Sequence, residues 1–231
     1  MKTTLTEENY LKALFHLVDN EGKVTINELS KFLNVKMPSV NNMMKKFAEK
    51  KWVIYETYKP LIVTESGRRE AALVVRKHRL TEMFLVKKMN FGWENVHEIA
   101  EQLEHVHSQI FFDKMDEILD YPKFDPHGEP IPDKDGNIIC EATGVKLKMY
   151  EEEVDHVSPL TFDEIVNNFV GLKRIDLSKV GYTGLGDNEV EKHFADENLR
   201  NEFAEYHKSV ARLQVVSRTH NRTQKKKNIG Q

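Results

Sequence analysis

Three short helical periodicities followed by two β-rich runs fill the first 64 residues, and that order restricts the fold more than any other feature of the chain. From Thr6, read as an N-cap, Tyr10, Leu11, Leu14, Phe15, Leu17 and Val18 recur at helical spacing until Gly22 ends the run. Thr25-Ile-Asn-Glu28 reads as a capping box, in which hydroxyl and carboxylate each satisfy an orphan backbone N–H, and Leu29, Phe32 and Leu33 then face inward. After a turn at 34–37, Pro38 takes the first helical position, where its missing N–H costs nothing. Val40, Met43, Met44 and Phe47 line one face of a third helix reaching about Lys51. Residues 52–55 and 61–64 are β-rich and flank a polar connection, which predicts a hairpin. The sum is a winged helix-turn-helix over residues 1–64.

In that motif the third helix enters the major groove of DNA. Ser39, Asn41, Asn42, Lys45 and Lys46 point outward from it, with Lys36 and Pro38 at its start and Lys59 on the hairpin; short amides and hydroxyls suit base edges, lysines suit phosphates. Charge is uneven in the matching sense. Residues 1–62 carry 10 Lys against 7 carboxylates, whereas residues 122–165 carry 4 basic groups against 11 acidic ones. A hydrophobic fraction of 39% beside 31% charged residues excludes collagen-like and wholly disordered classes. A lone Cys140 cannot form an internal disulfide, and no apolar run approaches a membrane span, so a cytoplasmic protein without a membrane partner is expected.

Thr64-Glu-Ser-Gly67 caps a long helix continuing to about Met89, on which His78 and Glu82 lie four residues apart and so share a face. Asn95-Val-His-Glu98 reads as the capping box of a further helix. His97, Glu101, Glu104, His105 and Ser108 then form one stripe, opposite the apolar Ile99, Leu103, Val106 and Ile110. Imidazole nitrogen and carboxylate oxygen suit Mn2+, Fe2+ or Zn2+. The commoner use of such a stripe is a solvated charged face; two histidines, two glutamates and the matching His78/Glu82 pair favour metal.

The winged helix, Arg76-Lys-His-Arg-Leu80, Val96-His97 and Glu101-Gln-Leu-Glu104-His105-Val-His-Ser108 together closely resemble the diphtheria toxin repressor and manganese transport regulator family over residues 1 to about 133. The resemblance implies a mainly α protein, with a helical metal-binding and dimerisation domain at 65–133 and operator binding as a homodimer when metal-loaded. It implies a primary metal site at Glu101, Glu104 and His105 and an ancillary one at His78, Glu82 and His97. Glutamate at 101, where iron-selective members carry cysteine, favours Mn2+ over Fe2+, with Zn2+ accepted in vitro. Asn9 falls on the first-helix ligand position, and Lys12 stands where manganese-type members carry a carboxylate. Asp125-Pro-His127-Gly resembles a Cys-Pro-His-Gly segment that ligates metal in some relatives, which adds Asp125 and His127.

Residues 134–160 read as a linker and 161–218 as a domain of open fold. Relatives carry an SH3-like domain there, but Val190, Phe194, Leu199, Phe203, Tyr206, Val210 and Leu213 recur at helical spacing. Residues 219–231, with Arg222 and Lys225 to Lys227, read as a disordered basic tail. The segment from about Glu94 to Tyr121 is expected to pair two subunits on a palindromic operator. Two other readings stay open: a metal-dependent hydrolase, since Glu101-x-x-Glu104-His105 lies one residue from the inverted zinc-peptidase pattern, and a winged-helix protein that binds DNA without metal. No nucleophile triad, phosphate loop or small-molecule substrate is indicated.

Overall fold

A computed structural model describes residues 3–92, 95–147, 151–157, 159–183 and 193–221. They fall into two units, 1–154 with 215–231, and 155–214.

The first unit opens with α1 (Leu5–Leu17), capped by Thr4 and not by Thr6. The reason is the residue three positions on: Glu7 returns its carboxylate to the Thr4 N–H at 2.9 Å, whereas Thr6 has only Asn9 at that spacing. After β1 (Lys23–Val24), Thr25 and Glu28 close the expected box on α2 (Ile26–Phe32), and α3 (Met37–Glu49) carries Pro38 in its first turn. β2 (Val53–Ile54) and β3 (Leu61–Val63) form the wing, with β3 central between β1 and β2. Leu11, Leu14, Leu29, Val40, Met44, Phe47, Leu61 and Val63 are fully or almost fully buried in one cluster.

That cluster continues into α4 (Glu65–Met89) through Ala71, Ala72, Val74 and Val75. Gly67 allows the close approach, since a Cβ there would lie 2.0 Å from the Trp52 carbonyl oxygen. α4 is also the strut for the segment at 129–132. Arg76 donates to the Pro132 carbonyl at 2.6 Å and pairs with Asp116, while Arg79 donates to the Pro130 carbonyl at 2.6 Å and to Glu129 at 2.5 Å. These bonds lay the proline-rich segment along the helix.

Beyond α4 the expected single helix is broken in two. α5 (His97–Leu103) has Val96 in its cap position without a side-chain cap, so the box expected at Asn95 does not form, and Glu104 ends the helix. Ser108 then caps α6 (Gln109–Ile118). Ile110, expected on an apolar packing side, is 76% exposed.

Residues 134–147 are not a free tether. The Asp133 carboxylate accepts from the N–H groups of Asp135 and Asn137, and β4 (Ile138–Ile139) pairs with β5 (Lys146–Leu147). Ile138, Cys140 and Leu147 are buried in the same cluster as the winged helix, which is why this stretch stays in the first unit. The chain leaves along β6 (Glu152–His156) and returns along β9 (Leu213–Ser217), which pair with each other.

The second unit holds α7 (Phe162–Lys173), a short pair of β7 (Tyr182–Thr183) and β8 (His193–Phe194), and α8 (Glu197–Val210). Phe169 packs edge-on against Phe203 and tilted against Tyr206, at ring separations of 5.2 and 5.4 Å. Leu199, Phe203, Tyr206 and Val210 of the expected helical spacing lie on α8. Asp196 caps α8, so Phe194 stands in a strand and Leu213 in β9, outside the helix their spacing implied; Val190 lies outside the described residues. Residues 218–221 form one helical turn with Asn221 buried, and the basic groups at 222–231 lie outside the described residues. Among the described residues no helix is long and apolar enough to cross a membrane.

Candidate metal centre and DNA-reading helix

His78 sits at mid-length on α4 with both ring nitrogens engaged. Its Nε2 lies 3.0 Å from Glu82 Oε1 and 3.2 Å from His97 Nδ1, and the His97 Nδ1 to Glu82 Oε1 separation is 3.2 Å. Two nitrogens and one oxygen thus form a nearly equilateral triangle. Donors about 2.2 Å from an octahedral ion stand roughly 3.1 Å apart when adjacent, so the set fits one face of such a site. Glu82 and His78 are buried while the His97 side chain is 62% exposed, which leaves the outer face open to water. His127 Nε2 approaches Glu82 Oε1 to 3.9 Å.

Without metal, charge holds this triangle together. Burial acts to depress the His78 pKa, but hydrogen bonds to Glu104 and Glu82 outweigh it and raise it to about 9. Burial likewise pushes the Glu82 carboxyl up, and the His78 and His97 contacts more than reverse that, leaving it below the usual range.

The other face of His78 meets a second cluster. Its Nδ1 lies 2.5 Å from Glu104 Oε2, and the Lys12 ammonium is 3.1 Å from that oxygen, 3.2 Å from His78 Nδ1 and in contact with Glu101 Oε1. His105 does not join it. The turn that ends α5 carries His105 to α1, where its Nδ1 meets Glu8 Oε2 at 2.6 Å and its Nε2 stays 3.9 Å from Glu104. The expected primary set of Glu101, Glu104 and His105 is therefore split, with His78 taking the place of His105, and the spacing shared with a zinc peptidase loses its geometric basis. Ser108 serves as a cap.

Glu8, buried between His105 and Lys77, was not singled out by sequence; burial raises its pKa, and hydrogen bonds to His105 and Lys77 more than offset that. Its one signal was the four-residue offset from Lys12, which places both on one face of α1. The buried Oδ1 of Asn9 lacks a hydrogen-bond partner. Asp125 organises a turn by accepting from the N–H groups of His127 and Glu129, each at 2.8 Å, and burial raises its pKa to about 6.

On α3, Lys36, Pro38, Ser39, Asn42, Lys45 and Lys46 are exposed together. Asn41 is half-buried, its Oδ1 accepting from the Tyr55 hydroxyl of the wing at 3.1 Å, which removes it from the free face. Lys59 on the wing pairs with Glu56 at 2.5 Å.

The profile of the iron-dependent repressor N-terminal DNA-binding domain matches residues 2–61, and that of the iron-dependent repressor metal-binding and dimerisation domain matches residues 64–133. This chain belongs to the iron-dependent repressor family. The chain is 34% identical over 109 residues to an uncharacterized HTH-type transcriptional regulator of Methanocaldococcus jannaschii, covering 47% of this chain and 87% of that protein. The HTH-type transcriptional regulator MntR of Geobacillus kaustophilus is 27% identical over 118 residues, covering 51% and 83%. A solved manganese-dependent transcriptional repressor in complex with manganese superposes with a TM-score of 0.51 at 27% identity, over 72% of this chain and 78% of that one. The two matched domains follow one another along the chain, and α4 lies wholly within the second.

Proposed function

We propose that this repressor-family chain binds operator DNA as a homodimer when loaded with a divalent metal, and so represses transcription of metal-homeostasis genes. Mn2+ is the preferred ion and Fe2+ the alternative, since Glu82 offers hard oxygen to the triangle and no cysteine belongs to it. The observation that carries the reading is the His78–Glu82–His97 triangle, three donors at octahedral spacing on the helix that leaves the wing. A bound cation supplies the charge that lets two imidazoles and a carboxylate face one point. Within the protein, Glu82 and His78 hold that point on α4, and His97 brings the start of α5 to it. Ile110, Phe111 and Ile118, exposed on α6, supply an apolar surface for pairing two subunits, and a two-fold dimer reads a palindrome.

Operator affinity measured with Mn2+, Fe2+, Zn2+ or chelator tests this; equal affinity in chelator and in Mn2+ contradicts it. The α3 face gives a second test. Asn42→Ala is expected to cost about 1–3 kcal/mol on the cognate operator and little on scrambled duplex, because base reading alone is lost. Lys45→Ala is expected to weaken both duplexes and flatten the salt dependence by about one unit of slope, because one phosphate contact goes. Salt titrations on the two duplexes decide it, and equal losses on both for Asn42→Ala exclude base reading by that residue.

A further inference from the structure

The cluster on the Nδ1 side of His78 holds a cation of its own. Lys12 Nζ stands within hydrogen-bonding reach of Glu101 Oε1 and Glu104 Oε2 and 3.2 Å from His78 Nδ1, against the same three residues whose ligand atoms converge closely enough to hold an ion. An ammonium and a metal ion cannot both occupy that point. The Glu104 side chain is fully buried and that of Lys12 only 14% exposed, so expelling the ammonium means leaving two carboxylates close together until an ion arrives. Lys12 is also tethered on α1, which keeps its effective concentration at the cluster above that of any free ion.

We infer that the Lys12 ammonium is the permanent cation of the Glu101–Glu104 pair, so that a loaded protomer holds one divalent ion, on His78, Glu82 and His97, and not two. The inference rests on the metal reading of the His78 triangle. It also makes the tie between α1 and α5 independent of metal, because Lys12 spans it, whereas the triangle between α4 and α5 answers to metal. One of the two cation positions around His78 is thus filled by the chain itself.

Mn2+ and Zn2+ stoichiometry of the full chain, by native mass spectrometry and titration calorimetry, tests it without reference to DNA. The expected result is one ion per protomer for the natural sequence, none at comparable affinity for Glu82→Gln, and two for both Lys12→Glu and Lys12→Gln. Adding Glu101→Gln to Lys12→Glu should return the count to one. Two ions of similar affinity in the natural sequence overturn the inference while leaving the metal reading intact, as does a count of one in both folded Lys12 variants. No ion in the natural sequence overturns both. The natural-sequence count decides even where a Lys12 variant fails to fold, which thermal melting reports.

Discussion

Glu82→Gln is expected to lower metal-stimulated operator affinity by more than 100-fold while leaving metal-free affinity within a few-fold. Loss of groups that merely support metal ligands costs 10–100-fold in metal affinity, and Glu82 is the oxygen corner of the donor triangle, so its loss exceeds that range. His97→Ala serves as the companion variant. Its side chain is mostly exposed, so truncation leaves no cavity, and loss of metal response there cannot be assigned to unfolding. Metal uptake should also depend on pH in a fixed sense. Below about 9 the His78 ring is protonated in the metal-free protein, and a metal ion at Nε2 must displace that proton. Apparent affinity therefore rises with pH toward about 9 and levels above it, with about one proton released per ion at neutral pH. Calorimetry in buffers of different ionisation enthalpy counts the proton. A flat affinity between pH 6 and 9, or unchanged metal response in both variants, rejects the triangle as the site.

The second large effect concerns the fold. Gly67→Ala places a Cβ 2.0 Å from the Trp52 carbonyl oxygen, and that oxygen is fixed, accepting from the Thr64 N–H and hydroxyl, each at 3.0 Å. Relief requires backbone movement where α4 leaves the wing, so a loss of about 3 kcal/mol or more is expected, at the top of the usual overpacking range. For a chain of this size that is roughly 6–12 °C in Tm. Gly171→Ala, on α7 with nothing within 4 Å of the added carbon, is the control and should stabilise by up to about 1 kcal/mol, since glycine is a poor helix former. A Gly67→Ala protein that melts with the natural one refutes the close approach.

The winged helix was legible because its signals are local: the Thr25–Glu28 capping box, a helix-starting proline and a short hairpin each act within a few residues, whereas the box at Thr4 and Glu7 escapes a reading that caps the first helix at Thr6. The His78/Glu82 pair and the stripe of His97, Glu101, Glu104, His105 and Ser108 are legible as helical spacing for the same reason, although His105 and Ser108 leave that stripe in the fold. The break after Glu104 was not, because residues 104–108 contain no proline or glycine and the turn is set by where Glu8 draws His105. Contacts such as Glu8 to His105 and Lys12 to Glu104 span 97 and 92 residues, distances at which periodicity carries no information. Two-residue strands leave no alternation to detect, so the hairpin at 138–147 looks like a linker in sequence; burial of Ile138, Cys140 and Leu147 holds it.

α4 runs 25 residues without proline, and its single glycine lies in the first turn against Trp52. Such a helix is a rod about 38 Å long that does not hinge in mid-course. His78 is eleven residues along from Gly67, roughly 16 Å of lever arm. A tilt of about 5° pivoting at His78 therefore carries the wing end by about 1.4 Å, half the length of a hydrogen bond, with no change inside the helix itself. Whatever tightens or loosens the grip on His78 reaches the wing as leverage, scaled by the length of the rod and not by the softness of the chain.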